Sequence, residues 1–277
     1  MTALTADRVP ASAPDTRIGL SFPRIVRSEW LKLKTLRSTW ISLALAVVVM
    51  VLAAGLIGHH MYGRLNDPQF FGGDRGEKDP IGNPLHGFGV TQLIIGVLGV
   101  LAVSGEYATG MIRATFSAVP KRLPVLAAKL AVMAIVGFVT MLIAVLASFF
   151  VAQAFLGRFS VSLTAPHAVQ VIVALAGFLT LVGLLGLSLG FIVRSTAGGI
   201  AGLVGILLVA PGIFAVINTS WSNTASHYLP INAGQSMFAN PSYGQGDLSN
   251  TVGTIVMFAW VAAAIVGAVV VVSRRDA

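Results

Sequence analysis

The chain contains no cysteine in 277 residues, and only 10% of its residues are Asp, Glu, Lys or Arg. Without cysteine it forms no disulfides and no thiolate-ligated metal or cluster sites. Soluble domains carry about 25% charged residues, so the shortage of charge excludes an ordinary soluble fold. Acidic residues are scarcest, ten against eighteen basic. A phosphate loop of the form G-x-x-x-x-G-K is missing too, which removes that route to binding ATP. The five histidines (His59, His60, His86, His167, His227) fall near the ends of apolar runs or between them. His59 and His60 are adjacent, whereas a helical zinc site wants an i, i+4 pair. No metal site is expected.

What fills the chain instead is apolar sequence, 56% of the total. A bilayer core about 30 Å thick takes roughly 20 apolar residues per helix. Six runs meet that length: 39–58, 85–104, 125–156, 168–193, 195–217 and 251–273. Five contain no charged side chain, and the third admits Lys129 near its start, where a lysine can snorkel to the headgroups. The fold class is therefore an all-α integral membrane protein with six transmembrane helices. Residues 1–21 lack the apolar core of a signal peptide and read as a flexible tail.

Charge then orients the spans. Fourteen of the eighteen basic residues fall before the first span, in the 105–129 region, at Arg194, or after the sixth. Arg64, Arg75, Lys78 and Arg158 occupy the other side. The positive-inside rule puts the fourteen, and both termini, in the cytoplasm. The net charge of +8 then reflects topology and contact with anionic lipid. Nucleic acid is not an expected partner, because no basic face interleaved with aromatics stands clear of the membrane flanks.

Two polar segments interrupt this pattern. In "GEYATGMIRATFSAVPKRLP" (105–124), Glu106, Gly110, Arg113 and Ser117 recur at i, i+4, i+7 and i+11. That spacing predicts one short helix over 105–119 with a polar stripe, while Tyr107, Met111, Ile112, Phe116 and Val119 take its other faces. Gly110 lacks a side chain where another backbone could approach. Pro120 stops the helix and Pro124 suits the first turn of the next. In "FPRIVRSEWLKLKTLRSTW" (22–40), Val26, Trp30 and Leu33 share a face, with Arg24, Arg27, Lys32, Lys34 and Arg37 largely elsewhere, and Glu29, Trp30, Lys32, Lys34 and Arg37 are its candidate interfacial residues. A basic amphipathic helix with tryptophans lies in the membrane plane, here over 22–38.

These two segments, in a six-span order, resemble the permease subunit of a bacterial type-2 ATP-binding-cassette exporter. The matching residues are the stretch "SEWLKLKTLRSTW" and Glu106, Gly110, Pro120 and Arg122 in the form E-x-x-x-G-x-x-x-x-x-x-x-x-x-P-x-R. The resemblance implies that 22–38 is a connecting helix and that 105–119 is a coupling helix docking on a separate ATPase. Glu106, Tyr107, Gly110, Arg113, Ser117, Pro120 and Arg122 would form the docking site. It further implies a homo- or heterodimer of permeases in the bacterial plasma membrane. This chain would have no cofactor of its own, since ATP and magnesium would sit in the partner. The external segment 218–250 would be a partly re-entrant cap. The pairs Gly186–Gly190 and Gly198–Gly202 permit close helix approach, within the chain or between copies. Pro211-Gly212 predicts a bend in the fifth span, and Gln92 with this bend is a candidate for the gate or path. A channel or scaffold without a nucleotide-driven partner is the alternative.

Overall fold

The computed structural model describes residues 21–67, 78–243 and 247–274. The expected tail over 1–21 lies outside these but for Ser21, as do Arg75 and Arg275. Among the described residues there is no strand. Eleven helices appear there: α1 Phe22–Thr35, α2 Arg37–Leu65, α3 Phe88–Ala108, α4 Met111–Ala118, α5 Arg122–Leu156, α6 Ala168–Val193, α7 Thr196–Val204, α8 Ala210–Ile217, α9 Ser220–Ser226, α10 Pro230–Phe238 and α11 Asn250–Arg274. Six helical stretches are long and apolar enough to cross a membrane. They are α2, α3 with the 3-10 turn Asn83–Gly87 before it, α5, α6, the run α7 to α8, and α11.

At the centre stands α6, most of whose side chains are buried, among them Phe178, Leu179 and Phe191. Glycine makes its contact with α3 close. A Cβ on Gly186 would overlap the Gly96 carbonyl, and one on Gly99 would overlap the Gly183 carbonyl. A Cβ on Gly190 would lie 2.9 Å from the Val100 oxygen. The Gly186–Gly190 pair therefore packs within the chain. In the fifth span, by contrast, only Gly199, Leu203 and Leu207 are buried. The bend expected at Pro211-Gly212 takes the form of a π turn over Gly205–Val209, followed by α8. Proline has no N–H to donate, so the hydrogen-bond ladder must shift register before it.

Opposite the side that carries α1 and α4, the segment 218–250 holds α9 and α10. Ala233, Gly234 and Phe238 of α10 are buried, and Phe238 joins Phe88 and Phe178 in edge-on and tilted ring contacts at 5.0–5.9 Å. Asp79 ties this cap down. Its Oδ1 accepts from the Ile81 N–H at 2.9 Å and from the Asn240 amide at 3.0 Å. Burial raises the Asp79 pKa above the ordinary carboxylate value, although the Ile81 and Gly82 amides and Asn240 pull the other way.

A group whose pKa is raised by folding gives its stability increment below its unfolded pKa and loses it as pH rises through the folded one. Thermal melts across about pH 4 to about pH 8 should therefore show the cap weakening as Asp79 ionises. Asp79→Asn keeps one oxygen for both bonds and should abolish that dependence. Asp79→Ala leaves a buried amide and an N–H unpaired, and should cost about 1–3 kcal/mol.

Candidate functional site

The helix expected over 105–119 is divided. The second span runs through Glu106 to Ala108 and ends at Gly110, which has φ +72°. The Gly110 N–H bonds to the Tyr107 carbonyl at 3.2 Å, and its own carbonyl accepts from Arg113 N–H at 3.1 Å, opening α4. Only glycine takes this left-handed turn without strain. A Cβ there would meet nothing within 4 Å, so within the chain Gly110 serves a turn. Gly110→Ala should cost about 1–2 kcal/mol through strain alone, and Gly110→Leu about the same, since there is room for bulk. Chemical unfolding of the two variants checks this; a much larger penalty for leucine would mean the space is filled.

The break turns the stripe's members in different directions. Ile112, Phe116 and Val119 are buried. Met111, Arg113, Ser117 and Pro120 are exposed and form one outward surface. Glu106 points inward, as the last turn of α3 lies against α1 and α5. Arg122 also turns in: its guanidinium lies 5.5 Å from the Phe116 ring centre and donates to the Val272 carbonyl at 3.5 Å. Arg194 donates to Val271 O at 3.3 Å and covers the Tyr107 ring at 5.2 Å. Two arginines thus serve the C-terminal carbonyls of α11, where a helix end favours positive charge.

Around Glu106 four charges form one cluster. Lys129 Nζ lies 2.6 Å from Glu29 Oε2 and 2.7 Å from Glu106 Oε1. Lys32 Nζ lies 2.7 Å from Glu29 Oε1 and 3.2 Å from Glu106 Oε1, and donates to Thr115 Oγ1 at 3.1 Å. Glu29, Glu106 and Lys129 are buried. Two carboxylates balance two ammonium groups, which is the condition for keeping charge out of water. Burial pushes the Lys32 pKa down, but the Glu29 and Glu106 carboxylates outweigh it and hold the value above that of an ordinary lysine. The snorkelling expected of Lys129 does not occur. Its ammonium is held inside by carboxylates from α1 and α3.

The cluster joins α1, α3, α4 and α5 at one point. On α1 the inward face is Ile25, Glu29 and Lys32, while Phe22, Trp30 and Leu31 are exposed, as are Leu36 and Trp40 just beyond it. Lys34 and Arg37 are exposed as well. Glu29 and Lys32, expected on the interfacial side, instead bind the helix to the spans. Sequence reasoning missed Thr115, Lys129 and Arg194 as partners in these contacts. The signal available was depth: Glu106 ends the second span and Lys129 starts the third, so opposite charges sit at one level on neighbouring antiparallel helices. Of the path residues, Gln92 is fully buried, whereas Gly212 is exposed and Pro211 half-buried. Among the described residues no group of three metal-binding side chains occurs.

Six apolar helices, a central glycine-packed pair and a small helix between two spans are the architecture of a multi-pass membrane protein. The family described as "ABC-2 family transporter protein" matches residues 25–212. The chain belongs to this family, and its architecture fits the permease subunit of such a transporter. The family implies an ATP-binding-cassette partner. No curated protein sequence matches the chain.

Proposed function

We propose that the chain is the permease subunit of an ATP-driven exporter, coupled through α4 to a separate ATP-binding-cassette subunit and working as a dimer with a second permease. On this reading the α1 and α4 side faces the cytoplasm of a bacterial plasma membrane, in line with the positive-inside distribution of basic residues. ATP and magnesium are handled by the partner, as the lack of a phosphate-loop motif here suggests. Exposed Arg27, Lys34 and Arg37 meet anionic lipid, and Trp30 and Trp40 sit at the interface.

One observation carries the proposal. α4 presents Met111, Arg113 and Ser117 outward while Ile112, Phe116 and the Lys32–Thr115 bond fix it from behind. A displacement applied to α4 is thereby passed to α1, α3 and α5 together, because the four-charge cluster joins them. Closure of the ATPase would push on this joint, tilt the spans and change access to the path.

Coexpression with a candidate ATP-binding-cassette subunit from the same genome tests the reading. A complex should survive detergent purification and hydrolyse ATP, while the isolated chain should not. Reversing one docking charge, Arg113→Glu, should weaken assembly by about 30-fold or more if its partner group is desolvated on docking. An Arg113→Glu complex of wild-type affinity and turnover would refute α4 as the docking element.

A further inference from the structure

At the end of the protein opposite α4, three linkers are fastened to one another. Gln153, near the end of α5, donates from Nε2 to the Pro80 carbonyl at 2.7 Å and accepts at Oε1 from the Val161 N–H at 2.8 Å. The Asn240 amide donates to Asp79 Oδ1 at 3.0 Å, and Asn240 Oδ1 accepts from the Ser242 N–H at 3.1 Å. Asp79 and Asn240 are buried. Because Pro80 follows Asp79 directly, the bonds run from the α5–α6 linker through the α2–α3 linker to the α10–α11 linker. Loops tied in this way keep a fixed spacing, which preorganises whatever lies between them.

Between the three linkers lies a cavity of about 480 Å³, inside the range of roughly 300–1,000 Å³ usual for small-molecule sites. Its wall is mainly aliphatic and proline, as at Ile81, Val161 and Pro166, and its polar side chains are Lys78, Ser242 and Tyr243. An apolar wall with a few convergent polar groups is the common make-up of a ligand site. Among the described residues no carboxylate lines it. Asp79, next to Lys78, is instead committed to the Asn240 amide and the Ile81 N–H. Lys78 interacts within the chain, and an ammonium with three N–H donors can serve a ligand as well. One cation, two hydroxyls and no described carboxylate favour an anion. Planar bidentate arginine is the better match to phosphate, whereas a single ammonium beside a phenol suits one carboxylate.

We propose that this cavity binds a carboxylate on a short aliphatic body, with the carboxylate at Lys78 and Tyr243 and the body against Ile81, Val161 and Pro166. Residues 157–167 join two spans, so the cavity sits at the level where an amphiphile carries its head group. None of Gln92, Pro211 and Gly212 lines it, which sets it apart from the expected path. Binding here does not depend on the permease reading, and the full chain without an ATPase is enough to measure it.

Two measurements on the full chain in lipid nanodiscs test it. Ala165 lines the cavity, and Ala165→Cys gives the chain a single thiol. Octanoate should slow its reaction with N-ethylmaleimide, while octanamide and octyltrimethylammonium, which share the aliphatic body, should not. Trp221→Cys, exposed at the same end and outside the cavity, should react at one rate with all three and so controls for effects on the bilayer. Lys78→Met should raise the octanoate concentration needed for half protection by about tenfold or more, as loss of a charged partner in a partly desolvated site does. Lys78→Arg should keep most of the protection, and Tyr243→Phe should weaken it by about threefold, the worth of one hydrogen bond. Equal protection by octanoate and octanamide, or none by either, would overturn the proposal. Thermal melts of the unmodified chain need no cysteine variant. Octanoate should raise the melting temperature, as a ligand of the folded state does, and the rise should vanish in Lys78→Met. A rise of the same size in Lys78→Met, or no rise in the unmodified chain, would overturn it equally.

Discussion

Lys129→Met should destabilise the protein by about 3–5 kcal/mol, the usual result of removing one partner from a buried ion pair. Lys129 is the only cation touching Glu29 Oε2 among the described contacts, at 2.6 Å, and it also holds Glu106 Oε1 at 2.7 Å. Methionine fills much of the same space, so packing loss is small and the penalty is electrostatic. Two carboxylates would be left with Lys32, which is partly exposed. Restoring charge balance should therefore restore stability. Lys129→Met with Glu29→Gln should recover a large part of the loss, and the interaction energy from the double-mutant cycle should be well above the scatter of about 0.3–0.5 kcal/mol typical of independent sites. Unfolding in detergent, followed by helical signal, gives all four corners of the cycle. Additive effects would mean that the cluster is not one unit.

Gly186→Val should be comparably damaging. The α3–α6 contact is backbone against backbone at this point, because a Cβ at 186 would overlap the Gly96 carbonyl. Overpacking costs typically about 1–3 kcal/mol where side chains can shift, and here no flexible side chain is available to yield. The expected result is a loss beyond about 3 kcal/mol, seen as failure to accumulate in the membrane. Gly202→Val is the control: a Cβ there meets nothing within 4 Å, so near-normal accumulation should follow. Comparable loss in both would point to glycine's effect on helix flexibility in place of packing.

The six spans could be read from composition because crossing a bilayer leaves a long apolar run for each helix. The amphipathic character of α1 was legible in part. Val26, Trp30 and Leu33 mark an apolar face, but periodicity does not say which polar residues meet protein and which meet water. Glu29 and Lys32 looked like interfacial residues; Glu29 is buried, and Lys32, partly exposed, pairs with it. The stripe Glu106–Gly110–Arg113–Ser117 followed helical spacing, yet the spacing runs across a helix break. Gly110, read as a space for another backbone, also makes a left-handed turn, a property that a residue's name allows but does not reveal. Lys129 shows the same limit: a lone lysine in an apolar run signals either snorkelling or pairing. The choice depends on carboxylates 23 residues and 100 residues away in sequence, at Glu106 and Glu29. The small-residue pair at Gly186 and Gly190 left intrachain and intermolecular packing open, and only the position of Gly96 and Val100 decides between them.

The central claim is that the exposed side of α4 is where the partner ATPase docks. Ser117 lies on that side and is exposed, and the absence of cysteine lets a single one be placed there. Ser117→Cys carrying a benzophenone maleimide should, on irradiation in inverted membrane vesicles, crosslink to the ATP-binding-cassette subunit. The same reagent on Trp221→Cys, exposed at the opposite end, should not. Crosslinking from Trp221 and none from Ser117 would contradict both the orientation and the docking role of α4.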